Sequence, residues 1–269
     1  MSGFDLSAYL DRLGLTPVPV TAAGLRDLQR AQLRSLPFDS ITPYLGGTPD
    51  LDLAAIMQKI VHGRRGGYCF ELNALLGAAL QALRFPLRRS LARVRKGAST
   101  GGPRSHLMLQ VTLEDGLYLA DAGYGGPGPL TPLRIDSDAP QQAPNGRYRF
   151  WDDPISGERV LDKWTGTAWF PLYGFDDAHV GDMDIAGANH ICATWSAMPF
   201  AANLMLAGFD GDTRIGVFNR ALTRESPEGL EKSEIADIAT FAALLTGELG
   251  LRLSDEELDR LWDKLTAVP

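Results

Sequence analysis

Cys69 follows Arg64-Arg65-Gly66-Gly67-Tyr68 and heads the strong helix pattern that begins Phe70-Glu71-Leu72-Asn73. A cysteine in the first turn of a helix meets unpaired N–H groups and the positive end of the helix dipole, which favour the thiolate over the thiol. The same N–H groups can donate to an oxyanion formed when that thiolate attacks a carbonyl. The two glycines allow a tight turn and a close approach to the backbone. The competing reading of Cys69 is a small, buried, inert hydrophobe. Cys192 has no comparable context and reads as structural.

A thiol catalyst needs a base and a group that orients the base. Of His62, His106, His179 and His190, His106 opens the strand pattern His106-Leu107-Met108-Leu109-Gln110-Val111. Asp121 ends the next strand pattern and leads into Gly123-Tyr124-Gly125-Gly126-Pro127-Gly128. That loop lacks G-x-x-x-x-G-K-[ST], so it is not a phosphate loop. A two-residue turn at Asp115-Gly116 would set Gly125 opposite His106 and leave Asp121 four residues away, roughly 13 Å at strand rise. A His106–Asp121 pair therefore predicts a longer connection over 111–116, a bulge or a sharp bend. A regular two-residue hairpin would count against it. On the residues alone, His106 is equally a structural histidine and Asp121 a turn or capping residue.

The elements that must position these residues follow from periodicity. Thr21 caps a helix that ends before Pro37. Leu53, Ile56, Met57, Ile60 and Val61 follow helical spacing, as do Leu72, Leu75, Leu76, Ala79, Leu80 and Leu83. From about Leu87 the period becomes two. Ser90–Val94, His106–Leu113, Leu117–Ala120, the region of Tyr148–Trp151 and Trp164–Leu172 read as strands, with a loop over Asp136–Gly146. A third stretch begins near Asn189. Asn203–Phe209 and Arg214–Asn219 flank an Asp-Gly-Asp turn, and helices follow, the last opened by a Ser254/Glu257 capping box. Helices, then antiparallel strands, then a mixed tail define an α+β chain divided as 1–86, 87–188 and 189–269.

The 269 residues carry a net charge of −7 and a 45% apolar composition. An acidic globular chain of this kind argues against nucleic acid and anionic membrane as partners. No run approaches the ~18 consecutive apolar residues of a membrane span. Two cysteines make no disulfide framework, and the start carries neither a basic segment nor an apolar one. The expectation is a cytoplasmic protein without a leader or a metal.

The segment from Arg64 through Asn73 resembles the nucleophile motif of the arylamine N-acetyltransferases. Leu36-Pro37-Phe38, Ser105-His106-Leu107, Asp121 through Gly126, Asn189 through Phe200 and Asn219 through Thr223 fall in that family's order and spacing. The resemblance implies an N-terminal helical bundle, a central antiparallel β-barrel and a C-terminal α/β lid, related to papain-like and transglutaminase-like thiol enzymes. It implies Cys69 as nucleophile, His106 as base and acid, and Asp121 as orienter. It places Phe38, Val94 and Tyr124 around the acceptor. Acetyl-CoA is implied as a donor substrate rather than a resident cofactor, with an arylamine, arylhydroxylamine or hydrazine as acceptor, in a monomer or homodimer. Arg104, Ser105, Gly125 and Gly126 are the expected CoA contacts. The resemblance also pairs an acidic residue, here Asp39 rather than the family's Glu, with Arg64; the shorter side chain predicts a looser or relayed pair. Asn189-His190 and Thr194-Trp195-Ser196 depart from the family's usual Asn-Trp and Thr-His-Pro. An amide synthase with a larger acyl donor and a thiol hydrolase remain alternatives.

Overall fold

A computed structural model describes residues 3–226 and 228–267. Met1 and Ser2, where the leader-free reading begins, lie outside the described residues, as do 227, 268 and 269.

The first section opens with helices α1 (Leu6–Leu13) and α2 (Ala22–Ser35). Thr21 caps α2 as its sequence position predicts, its Oγ accepting the Gly24 N–H at 3.1 Å. A two-residue strand, β1 (Phe38–Asp39), interrupts what reads as purely helical sequence. Short helices α3 (Ile41–Tyr44) and α4 (Leu53–Ile56) follow, the latter widening into π-helical turns over Met57–His62. The section ends with α5 (Cys69–Ala82), which is apolar on nearly every side and almost wholly buried. A helix of that composition belongs inside a core. Here it packs between the other helices and the central sheet.

The middle section is one antiparallel sheet of eight strands. They are β2 (Leu87–Val94), β3 (Arg104–Leu113), β4 (Gly116–Ala120), β5 (Leu133–Arg134), β6 (Gln141–Ala143), β7 (Gly146–Asp152), β8 (Arg159–Trp164) and β9 (Trp169–Phe175). Their spatial order is β5-β4-β3-β2-β9-β8-β7-β6. The two end strands meet through one side chain. Gln141 Oε1 accepts the Arg134 N–H at 2.7 Å, and its Nε2 donates to the Arg134 carbonyl at 2.8 Å. The sheet is thus a nearly closed barrel, filled by Met108, Tyr148, Phe150, Leu161, Leu172 and Tyr173.

Helix α6 (Asp182–Thr194) leads to a second sheet of β10 (Met205–Asp210), β11 (Thr213–Phe218), β12 (Ala221–Ser226) and β13 (Gly229–Glu234), closed by α7 (Ile238–Ala243) and α8 (Asp255–Ala267). β1 is its fifth strand, with Phe38 opposite Ala207. The segment before the nucleophile is thereby hydrogen-bonded to the last third of the chain.

Besides β1, the structure differs from the sequence reading in these places. The run Trp164–Leu172 is two strands split by a turn at 165–168. The division at 188/189 falls inside α6, whose buried face carries one large aliphatic, Ile185, with Ala188, Asn189, Cys192 and Ala193. The 136–146 loop contains β6. β12 and β13 lie between the expected hairpin and the expected helices, where the sequence reading placed no element. β13 is exposed throughout, so backbone pairing rather than an apolar face defines it.

Candidate active site

The chain enters α5 through a tightly packed approach. Gly66 and Gly67 have ordinary backbone angles, and their lack of a side chain serves close packing instead. A Cβ at Gly66 would lie 2.5 Å from the Pro37 carbonyl, and one at Gly67 would meet Glu71 at 3.0 Å. Asp39 N–H donates to the Gly67 carbonyl at 2.9 Å, tying β1 to the approach. The left-handed residue in the motif is Arg64, with φ 53°. Glu71 Oε2 accepts the Tyr68 N–H at 3.1 Å, while the N–H groups of the first turn, starting at Cys69, have no intrahelical acceptor.

His106 Nε2 lies 2.7 Å from Asp121 Oδ2. This pair forms although the hairpin between β3 and β4 is regular, contrary to the irregularity expected over 111–116. The two-residue turn is Glu114-Asp115, one position earlier than expected, with Leu113 opposite Gly116. That register brings His106 level with Gly123, so Asp121 is two residues away instead of four. Strand pairing also stops at Leu109–Ala120, and the chain leaves β4 at Asp121. Side chains replace the ladder there. Asp121 N–H donates to Gln29 Oε1 at 3.1 Å, and Ala122 N–H to Asn73 Oδ1 at 2.9 Å. The irregularity lies on the other side of β3, where a bulge shifts the register with β2 between Ala92 and Arg93.

Asp121 is buried and fully engaged. Oδ1 accepts from the Asn73 amide and the Gly123 N–H, both at 2.9 Å, and Oδ2 accepts from the Tyr173 hydroxyl at 2.9 Å as well as facing His106. Gly123 is required at its position, because a Cβ would come within 2.8 Å of the Cys69 Cα. Burial alone would raise the Asp121 pKa, but the charge and hydrogen bond of His106, with the Asn73 and Gly123 donors, bring it below the ordinary value. Burial opposes charge on His106, but Asp121 and then Cys69 outweigh it and push the imidazole up to about 10. Burial pushes the Cys69 thiol up, and His106 offsets part of that rise, leaving the thiol above its ordinary value. With Nε2 held by Asp121, Nδ1 is left for the thiol.

Cys69 and His106 line a cavity of about 420 Å³, with Phe38, Val94, Tyr124, Ser105, Gly125 and Gly126. Phe170, Met198, Phe200 and Met205 complete its walls, bringing aromatic and thioether surface from the barrel and the last section. Nine of the ten residues singled out from sequence therefore converge on one place. Asp121 does so behind His106, and the tenth, Arg104, is outside the lining, its guanidinium paired with Asp176. Sequence reasoning gave no role to Asn73 or Tyr173. Asn73 could have been found, because it lies one turn after Cys69 on the same helix face. Tyr173 is distant in sequence and had no signal.

The expected Asp39–Arg64 ion pair is absent among the described residues. Asp39 Oδ1 accepts the Ile41 N–H at 3.0 Å, and Oδ2 is buried without a hydrogen-bond partner. The cation behind Cys69 is Lys59, 2.8 Å from Glu71. A side chain one methylene shorter turns back to its own helix start.

The site is thus a helix-start thiol beside a carboxylate-held imidazole, at the wall of an aromatic cavity: the equipment of a thiol acyl-transfer centre. A family model described as N-acetyltransferase matches residues 21–258. The arylamine N-acetyltransferase of Mycobacterium tuberculosis is 34% identical over 258 residues, covering 93% of this chain and 90% of the relative. The arylamine N-acetyltransferase / N-hydroxyarylamine O-acetyltransferase of Salmonella typhimurium is 32% identical over 255 residues, with 93% and 90% covered. The structure of Mycobacterium marinum arylamine N-acetyltransferase in complex with CoA superposes with a TM-score of 0.90 at 32% identity, covering 98% of this chain and 99% of that one. The chain belongs to the arylamine N-acetyltransferase family, and its structural neighbours are the bacterial members.

Proposed function

We propose that this chain transfers an acetyl group from acetyl-CoA to the nitrogen of an arylamine, arylhydroxylamine or hydrazine through an acyl-cysteine on Cys69. The reading rests on one observation: Cys69 at the start of α5, His106 and the Asp121 that holds it converge at the wall of one aromatic cavity.

In the first half-reaction the Cys69 thiolate, formed as an ion pair with the His106 imidazolium, attacks the thioester carbonyl. The free N–H groups of the first turn of α5 receive the oxyanion. The tetrahedral adduct collapses with loss of the CoA thiolate, which takes the proton from His106. In the second half-reaction the amine attacks the acyl-cysteine, His106 accepts its proton, and Cys69 leaves. Asp121 keeps the imidazole oriented and stabilises its charge throughout. Because acyl transfer is split in two, one cavity serves donor and acceptor in turn, which predicts ping-pong kinetics. Phe38, Val94 and Tyr124, with Phe170 and Phe200, offer flat apolar walls to an aromatic acceptor.

Ser105, Gly125 and Gly126 line the reacting end of the CoA path. Arg104 is assigned no contact in this reading, being paired with Asp176. The catalytic cavity shares Phe38, Tyr124, Gly125 and Gly126 with a neighbouring cleft, and that cleft shares Asn145, Phe209 and Arg214 with a cavity of about 460 Å³ lined by Arg30, Arg34 and Lys163. Arg34 is paired with Asp212, so Arg30 and Lys163 are the proposed phosphate contacts. The same reading treats 1–86 as a helical part, 87–188 as a barrel and 189–269 as a lid of a papain-like thiol enzyme in the cytoplasm, with α6 bridging the last two.

Intact-mass spectrometry after mixing with acetyl-CoA tests the proposal. One acetyl mass on Cys69, discharged quickly by an arylamine and slowly by water, is expected. An unmodified protein, or an adduct that water discharges as fast as the amine does, overturns it, the second result indicating a hydrolase.

A further inference from the structure

The bulge in β3 places Ser105 out of register between two paired positions, Ala92–His106 and Arg93–Arg104. Its carbonyl is the acceptor for two thiols. Cys69 Sγ reaches it at 3.7 Å and Cys192 Sγ at 3.4 Å. The two sulfurs therefore approach one atom from two helices, and they are no further apart than those two contacts laid end to end. Cys69 is fixed at the start of α5. Cys192 sits in the last turn of α6, with only Ala193 and Thr194 before an exposed segment that begins at Trp195. A helix end followed by exposed chain is the element of the pair that can shift.

The two thiols differ in access. Cys69 borders the catalytic cavity, whereas Cys192 does not and is fully buried. Burial pushes the Cys192 thiol up to about 12, so it is not itself a target for an oxidant. Cys69 has His106 beside it and is the reactive member.

From this shared acceptor we infer that Cys192 is a resolving thiol, which closes an intramolecular disulfide with Cys69 when a hydroperoxide oxidises the nucleophile. In the first step the Cys69 sulfur attacks the peroxide, the O–O bond breaks, and Cys69 becomes a sulfenic acid with release of water or an alcohol. In the second, the Cys192 sulfur attacks the Cys69 sulfur, the S–O bond breaks, and the oxygen leaves as water carrying the Cys192 proton. Two thiols lose two electrons and the peroxide gains them. The bridge stops Cys69 short of the sulfinic and sulfonic acids that reductants do not reverse, so the enzyme is inactivated reversibly. The inference uses the proposed reactivity of Cys69 and adds a role for Cys192 outside acyl transfer.

The test is hydrogen peroxide treatment of the whole chain, followed by intact-mass and non-reducing peptide analysis. The expected product has lost two hydrogen masses, contains a peptide linking Cys69 to Cys192, and regains activity with dithiothreitol. Cys192→Ser and Cys192→Ala, each still acetylated on Cys69 when reduced, should instead gain two or three oxygens at Cys69 and stay inactive after dithiothreitol. Wild-type protein that gains oxygen with no link, or that links only between chains, overturns the inference, as do variants that recover as wild type does. If neither variant folds, the linked peptide in the wild type decides alone. A chain that takes acetyl on Cys69 yet forms no bridge loses only this inference; one that does neither loses the proposed function first.

Discussion

The Asn73 amide donates to Asp121 Oδ1 at 2.9 Å from the same helix that begins with Cys69. Cys69 and Asp121, the proposed nucleophile and orienting carboxylate, are therefore tied to one rigid element, one turn apart. The same amide group donates to the Leu107 carbonyl at 2.6 Å and accepts the Ala122 N–H at 2.9 Å, bridging β3 and the exit of β4. Asn73→Ala removes three buried hydrogen bonds. Each costs about 1–3 kcal/mol where no water replaces the bond. Urea denaturation should show a clear fall in midpoint. Acetyl transfer should fall about 10–100-fold through kcat, as loss of an outer-shell orienting partner does. A variant with wild-type stability and kcat would remove Asn73 from the positioning of Asp121.

Asp121→Asn separates charge from shape. The neutral amide keeps the size of the side chain but removes the charge that overcomes the burial of His106. The imidazole pKa then falls from about 10, because only Cys69 is left to oppose burial. Cys69 loses its imidazolium partner and its own pKa rises further. Iodoacetamide labelling of Cys69 across pH should show the profile displaced upward, with kcat for acetyl transfer down by about 10³–10⁴, as for an orienting aspartate elsewhere. An unmoved labelling profile would contradict the ion-pair assignment.

The same pair has a sign in protein stability. His106 binds its proton more tightly folded, at about 10, than unfolded, near 6.5. Its contribution is therefore complete below pH ~6.5 and is lost as pH rises toward 10. Asp121 is shifted down, so its contribution is present above the ordinary carboxylate range and disappears as pH falls through its folded pKa. Thermal unfolding of wild type minus His106→Gln, measured from neutral to alkaline pH, should show a difference that shrinks across that interval. A difference that grows with pH would reverse the assignment.

The legible part of this molecule was the part whose chemistry is local. Cys69 announced itself through the glycines before it and the apolar helix after it, and α2 through Thr21. The His106–Asp121 pair was harder, because one residue of uncertainty in a turn moves a facing residue by two positions. Placing the turn at Asp115-Gly116 instead of Glu114-Asp115 made a short contact look like a long gap. Longer-range features gave no sequence signal at all. Tyr173 reaches Asp121 from the far side of the barrel, and β1 joins a sheet whose other strands begin more than 160 residues later. α6 hid because its buried face sets one large aliphatic, Ile185, among small and polar residues.

Phe170 offers a test of the half-reactions. It lines the cavity, yet 37% of it is exposed, so its truncation leaves little of the core unfilled. Phe170→Ala removes one aromatic wall, and an aromatic contact of this kind is worth about 0.5–1.5 kcal/mol beyond its buried area. The expected outcome is a KM for arylamine raised roughly tenfold, with acetylation of Cys69 by acetyl-CoA unchanged in stopped-flow measurements. Equal loss in both half-reactions would place Phe170 on the donor path instead.

Asp39 carries an energetic cost that one atom exchange should relieve. Its Oδ2 is buried with no hydrogen-bond partner, and its charge raises the pKa of buried Glu71, after burial itself and against the pull of Lys59. Asp39→Asn keeps the acceptor that Ile41 N–H uses at 3.0 Å and removes the unpaired charge. Removing an uncompensated buried charge at constant volume should stabilise the fold by about 1–3 kcal/mol. Urea denaturation reads the gain directly, and Glu71, followed by its carboxyl NMR resonance, should titrate lower than in wild type. Asp39→Glu makes the complementary test. The longer side chain restores the reach to Arg64 that the family pattern uses, and the ion pair should appear as protection of the Arg64 guanidinium protons from exchange. Destabilisation by Asp39→Asn would mean that the carboxylate charge, rather than its bond to Ile41, holds the approach to Cys69.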